Sequence, residues 1–159
     1  MTKTEFLAKF REGAEVKFED SIVSAHPAEV AQAVWHSLEE ILPAEESIIY
    51  GVQESPREGR LEETLSWLLV LSGHVLELAA KQEKNSVRVT HQYHRRDRLS
   101  AKLDFEFQPV YRPGLTMYPR EATISLSGER QAIEIRSIQN HPSIQAVCRF
   151  AKAVMTGQP

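Results

Sequence analysis

Two histidines and three arginines crowd the segment HQYHRRDR at residues 91–98. The imidazoles of His91 and His94 could share a metal ion if their i, i+3 spacing fell on one face of a helix. The residues before them, 86–93, alternate as a β-strand does, and on a strand these two positions point to opposite faces. We therefore expect no metal site, and we expect His91 to face inward beside Val89.

The remaining cations of this segment are His94, Arg95, Arg96 and Arg98, which we call the cationic rim. Guanidinium groups bind phosphate, carboxylate or acidic protein surfaces, so the rim is a candidate contact surface. The same residues also fit the plainer interpretation, a solvated connection between strands in which charges protect a sheet edge from pairing with another chain.

A second candidate surface is the segment 109–120, PVYRPGLTMYPR, which contains three prolines and two tyrosines. We predict a long connection between strands, and such connections in compact domains often carry function. Tyr, Met and Arg are enriched in the cores of protein interfaces. The candidate contact residues are Tyr111, Arg112, Met117 and Tyr118, although a rigid loop covering the domain would have the same composition.

Motifs for catalysis are missing from the sequence. There is no Gly-x-Ser-x-Gly motif and no glycine-rich phosphate loop, and the single cysteine, Cys148, lies in an apolar helical pattern without an adjacent base. We expect Cys148 to be a buried, inert thiol. The sequence therefore predicts neither enzyme activity nor a cofactor.

Composition indicates one globular domain, since 42% of the 159 residues are hydrophobic and 26% are charged. A net charge of -3 argues against nucleic-acid binding through a global positive field. The N-terminus has no continuous apolar region typical of a signal peptide. The longest apolar run, Trp67–Leu71, is too short to span a bilayer. We expect a cytoplasmic protein without a transmembrane segment.

Helical spacing of apolar residues predicts helices over 4–12 and 27–42. Pro27 suits a first helical turn, and Pro43 ends the second helix. A third helix follows Asn140, a good N-cap, and stops at Gly157.

Between these helices the apolar period changes to two. The sequence predicts seven strands near 47–53, 64–71, 74–80, 87–93, 99–107, 123–127 and 132–138. Seven short strands separated by turn signals indicate a small antiparallel barrel or sandwich.

This order of elements resembles the pleckstrin-homology superfold. The residues ILPAEE at 41–46, leading into IIY at 48–50, look like the entry to bacterial pleckstrin-homology-like domains, and LVLSGHVL at 69–76 is similar to their second hairpin. The resemblance implies an α+β fold, with a seven-stranded antiparallel barrel or sandwich and a C-terminal capping helix over 43–159, after a helical extension at 1–42. It also implies a non-catalytic scaffold that binds other molecules.

The ligand class stays open at this stage. Lipid-binding relatives hold phosphoinositides with basic residues in the first loop, whereas the corresponding loop here, 54–63, has two arginines among four glutamates, which repel such headgroups. We expect protein–protein association or self-assembly into a homo-oligomer. The alternative is a small-molecule or lipid-binding barrel with a cavity lined by Trp67, Phe105 and Phe107. Nucleic-acid binding through the rim arginines is a weaker third interpretation.

Overall fold

The structure, a computed structural model, describes residues 1–11, 16–18, 21–23, 28–54, 64–112, 114–128, 132–137 and 141–158. Within these residues the helices are α1 (Lys3–Arg11), α2 (Ala28–Ile41) and α3 (His141–Thr156). The strands are β1 (Val16–Phe18), β2 (Ser21–Val23), β3 (Tyr50–Glu54), β4 (Thr64–Val70), β5 (His74–Glu83), β6 (Ser86–Arg95), β7 (Ser100–Arg112), β8 (Gly114–Ser127) and β9 (Ala132–Arg136).

Strands β3 to β9 correspond to the seven predicted strands and form two antiparallel sheets. The first sheet has the order β3-β4-β5-β6, and the second has the order β7-β8-β9. The predicted α+β class, with two antiparallel sheets and a C-terminal helix, is confirmed. The closed-barrel alternative is wrong: β6 ends at Arg95, and a single 3-10 turn, Arg96–Arg98, leads the chain into a separate sheet.

The core is centred on β4, whose apolar run is buried on both faces of the sheet. Trp67, Leu68 and Leu69 are inaccessible to solvent, as expected for a continuous apolar strand between covering layers. Helix α2 contacts β5 and β6, while α3 contacts strands of both sheets. The buried side chains of Leu38 in α2 and Phe150 in α3 complete this core.

The first helix is joined to the core by its amphipathic face and by a buried lysine. Phe6 and Leu7 are buried, in agreement with the stripe predicted over 4–12. The Nζ of Lys3 donates to the backbone oxygens of Glu39, at 3.0 Å, and Leu42. An ammonium group at this position satisfies carbonyls at the end of α2 and complements the negative pole of its dipole.

The segment 109–120 is not the predicted connection. It belongs to two long strands, β7 and β8, which pair almost to the turn between them, with Arg112 opposite Gly114. Gly114 has a φ of 105°, a conformation that favours glycine. The prediction failed because prolines were taken as breakers of strands, whereas an edge strand tolerates a residue that lacks a backbone N–H.

Three further sequence predictions fall outside the described residues. They are the Asn140 N-cap, the helix opening at 24–27, and most of the acidic loop, residues 55–63.

Candidate functional site

The two histidines of HQYHRRDR lie on opposite faces of β6, as strand parity predicted. The Nε2 of His91 lies 2.6 Å from the Oγ of Ser37 in α2, so this ring faces the helix layer. The Nε2 of His94 lies 3.4 Å from a carboxylate oxygen of Glu77 on the neighbouring strand. Among the residues that the structure describes, no group of three or more His, Cys, Asp or Glu side chains is arranged to hold a metal ion.

The guanidinium of Arg96 forms hydrogen bonds within the protein. Its Nε donates to the backbone oxygen of Val154 at 3.0 Å, near the end of α3. Its Nη1 donates to the oxygens of Ser72 at 2.7 Å and Leu71 at 3.4 Å, in the turn between β4 and β5. A guanidinium with its planar fork of donors suits this task, since it satisfies carbonyls of two separate elements at once.

The other arginines of the rim are exposed. Arg95 forms a two-point contact with Asp97, with nitrogen–oxygen distances of 3.1 and 2.6 Å, and Arg98 is solvent-exposed beside them. Together with His74 and Met155, Arg95 and Asp97 line an open cleft of about 630 Å³ at this end of the protein. Three of the four rim cations are thus engaged within the protein: His94 lies beside Glu77, Arg95 contacts Asp97, and Arg96 binds backbone carbonyls.

The second candidate surface has a more definite geometry. Within the described residues, β9 pairs with Thr123–Ser127 of β8, and the next residue, Ser137, donates its backbone N–H to the oxygen of Ala122. Residues 105–112 of β7 and 114–121 of β8 lie at and beyond this point as a two-stranded ribbon, which we call the arm. The described side chains of the arm are exposed, apart from Val110 and Glu121, which are half-buried.

One face of the arm is apolar. Phe107 and Pro109 stand opposite Pro119 and Met117 in the pairing of the two strands, and residues directly opposite point to the same face. Leu115, two residues before Met117 on the same strand, shares that face. Phe105 shares this face, since its ring centroid lies 6.1 Å from that of Phe107. We call Phe105, Phe107, Leu115 and Met117 the arm face; their exposed fractions are 44%, 50%, 65% and 51%.

A β-bulge makes this face continuous. Phe105 pairs with Ala122 and Phe107 pairs with Pro119, so Arg120 is the extra residue of β8. In a regular ladder, Phe107 would oppose Arg120, and every apolar residue of β8 beyond it would point to the other side. Because the bulge shifts the register by one residue, odd positions of β8 in the arm join the face that even positions occupy near the sheet.

The two edges of the arm are protected against pairing with further strands. Pro109 on β7 and Pro119 on β8 lack a backbone N–H, and proline in an edge strand opposes pairing with another chain. The side chain of Arg120 contacts the carboxylate of Glu106 at 3.3 Å, and Glu121 accepts a hydrogen bond from Thr123 at 3.2 Å. The exposed apolar face is therefore the distinguishing feature of the arm, because its edges oppose strand pairing and the charges of Glu106 and Arg120 offset each other.

The predicted contact residues are divided between the two faces. Met117 belongs to the arm face, whereas its neighbour Tyr118, which is 54% exposed, pairs with Gln108 on the opposite face. The backbone of Tyr111 and Arg112 belongs to β7, but their side chains lie outside what the structure describes.

Leu115 was missed by the sequence analysis, and Phe105 and Phe107 were assigned to an inner cavity. In the structure Trp67 is fully buried, while both phenylalanines are about half exposed on the arm, so these three residues do not line one cavity. The signal that could have identified the face is the mirrored alternation of apolar residues around Pro113-Gly114, a turn dipeptide.

Comparison with known proteins adds no assignment: no family model, curated protein or solved structure matches this chain. In the part of the chain that the structure describes, no helix has the length and apolar character needed to cross a membrane.

Proposed function

We propose that this chain is a non-catalytic scaffold of pleckstrin-homology-like architecture that binds a protein through the arm face. The observation that carries the proposal is the exposure of four large apolar side chains on one side of a ribbon, a side that no other described element covers. The pleckstrin-homology-like part of the proposal is supported by the order of elements, seven antiparallel strands followed by a C-terminal helix.

The size of the arm face favours a protein partner. With roughly 200 Å² for each fully exposed side chain, half-exposed residues of this type contribute on the order of 400 Å² of contiguous apolar area. Patches of about 300–600 Å² are the largest found on typical monomers and are often functional. An extended ribbon face also has the flat shape of a protein interface and lacks the concavity that encloses a small ligand.

The electrostatics of the arm favour the same class of partner. Glu106 and Arg120 neutralise each other, and the chain as a whole carries a charge of -3. A surface that bound phosphate groups would need an excess of cations. The arm face instead matches the apolar centre of a protein–protein interface, from which charged residues are depleted.

Site-specific photocrosslinking tests the proposal in the cells that produce the protein. Met117 and Tyr118 are adjacent, and their exposed fractions, 51% and 54%, are nearly equal, but they lie on opposite faces. A benzophenone amino acid at position 117 is expected to give discrete protein adducts, identified by mass spectrometry, and the same amino acid at 118 is not. Equal adducts at both positions, or none at either, would contradict binding through the arm face.

A further inference from the structure

The side of the hairpin that carries the arm face is buried at its base and exposed along the arm. Near the sheet, Ala122, Ile124 and Leu126 of the same face are inaccessible to solvent, and α3 contacts both β7 and β8 there. Beyond Ala122, none of the helices and strands that the structure describes covers this face as far as Leu115. Over the base of the hairpin, the body of the protein packs a layer on this face. Over the arm the described residues leave that layer open, and a partner would occupy it.

We propose that the partner of the arm face is a second copy of this chain, whose arm packs face to face on the first. This inference rests on the proposed function and names the partner of the same surface. The second arm is itself an element with one apolar side, and two stacked sheets lie about 10 Å apart, which fits a single open layer.

The area of the arm suits such a pair. An interface core is about 65% apolar, so on the order of 400 Å² from the arm face, with the flanking backbone and prolines, amounts to roughly 600–700 Å² per copy. A stable complex of standard size buries about 800 Å² per partner. Contact between the two arms thus supplies most of that area, and each arm tip, as it reaches the other body, supplies more.

The position of the body determines the orientation of the two arms. The body projects from the same side of the hairpin as the arm face, because Ile124 and Leu126 are buried on that side. Two copies with their arms parallel would place both bodies in one layer, where they would collide. With the arms antiparallel, each arm of roughly 25 Å (residues 105–112) lies in the open layer of the other.

The edges of the arm predict that assembly stops at two copies. Pairing through strand edges would extend into open-ended assemblies, but Pro109 and Pro119 oppose it on the two edges. When a face packs on the same face of a second copy about a two-fold axis, both faces are buried, and neither can bind a third copy. The expected species is a closed dimer with twice the chain mass of 18.1 kDa.

Sedimentation equilibrium on the purified full chain tests the inference, with Met117→Asp and Tyr118→Asp as matched variants. The wild type and Tyr118→Asp are expected to be dimers. Met117→Asp is expected to weaken the dimer by more than about a hundredfold, because it buries a carboxylate without a partner. Circular dichroism should show the same fold for all three, since both positions are exposed.

The outcomes separate this inference from the proposed function. A wild type that stays monomeric at high concentration, or a dimer that both variants weaken equally, overturns the pairing of arms. If the monomeric protein still gives an adduct with a different protein at position 117 and not at 118, binding through the arm face stands and only the second copy is excluded. A monomer without adducts overturns both.

Discussion

Arg96 binds the end of α3 through the backbone oxygen of Val154, 3.0 Å from its Nε, while its Nη1 binds the oxygen of Ser72 at 2.7 Å. These contacts attach the C-terminal helix to the turn between β4 and β5. The same arrangement recurs at the end of α2, where Lys3 donates to Glu39 and Leu42. In both places a cation satisfies carbonyls at a helix C-terminus, where the dipole is negative.

Substitution of Arg96 by alanine should destabilise the fold. The change removes charge-assisted hydrogen bonds and leaves partly buried carbonyls unsatisfied, so we expect a loss of about 2 kcal/mol in the free energy of unfolding. Urea denaturation measures this loss. Arg95→Ala is the control: Arg95 is exposed and contacts only an exposed Asp97 among the contacts described above, so its removal should cost less than about 0.5 kcal/mol. Equal costs for the two variants would contradict the role of Arg96.

Gly157 makes room for the guanidinium of Arg96. It has a φ of 71°, and a β-carbon there would come within 2.6 Å of both terminal nitrogens of Arg96. We expect Gly157→Ala to cost about 2 kcal/mol, from the left-handed conformation and from displacement of Arg96. In an Arg96→Ala background only the conformational part, about 1 kcal/mol, should remain.

A double-mutant cycle by urea denaturation separates these two contributions. Gly73→Ala is a suitable control, because a β-carbon at Gly73 meets no atom within 4 Å, and it should change stability little. Additive costs for Gly157→Ala and Arg96→Ala would show that the two residues do not interact.

The partial burial of His91 makes stability depend on pH. Burial lowers the pKa of His91 below its usual value of 6.5, so below that pH the unfolded chain binds more protons at this position than the folded chain does. The free energy of unfolding should therefore fall as the pH decreases from about 6.5 through the folded pKa, and the contribution of His91 to this slope should vanish above that window.

Replacement of His91 by glutamine tests this dependence, because glutamine can still reach Ser37 but does not titrate. Urea denaturation at a series of pH values should show that the free energy of unfolding of this variant depends less on pH below 6.5 than that of the wild type. His36→Gln removes an exposed imidazole from α2, the helix that carries Ser37, and serves as the control for the loss of a histidine. A slope unchanged in His91→Gln would assign the pH dependence to other groups.

Local periodicity was sufficient to predict the order of the three helices and of β3 to β9, but it predicted neither the short strands β1 and β2 nor where burial ends. The alternation from Leu99 to Phe107 correctly predicted one strand face, yet Leu103 is half-buried and Phe105 is exposed. The reason is that the layer packed on this face, to which α3 contributes, ends near the base of the hairpin. The alternation of residues within β7 gives no information about where that layer ends.

The function of individual cations was equally inaccessible to local patterns. The four rim residues look alike in sequence, but Arg96 differs from Arg95 because α3, more than fifty residues later, ends beside it. The parity of β6 did separate His91 from His94 correctly, since parity depends only on the strand itself. What depends on distant elements had to come from the structure.

The bulge at Arg120 gives a final prediction about the arm face. If Arg120 is deleted, Pro119 and Glu121 become neighbours in the chain. A regular ladder then keeps Pro119 opposite Phe107 and Met117 opposite Pro109. The variant loses only an exposed ion pair with Glu106 and should keep its stability within about 1 kcal/mol. Sedimentation and urea denaturation should then show both self-association and stability retained without Arg120. A variant that keeps its stability but no longer self-associates would mean that the arm face does not depend on this register.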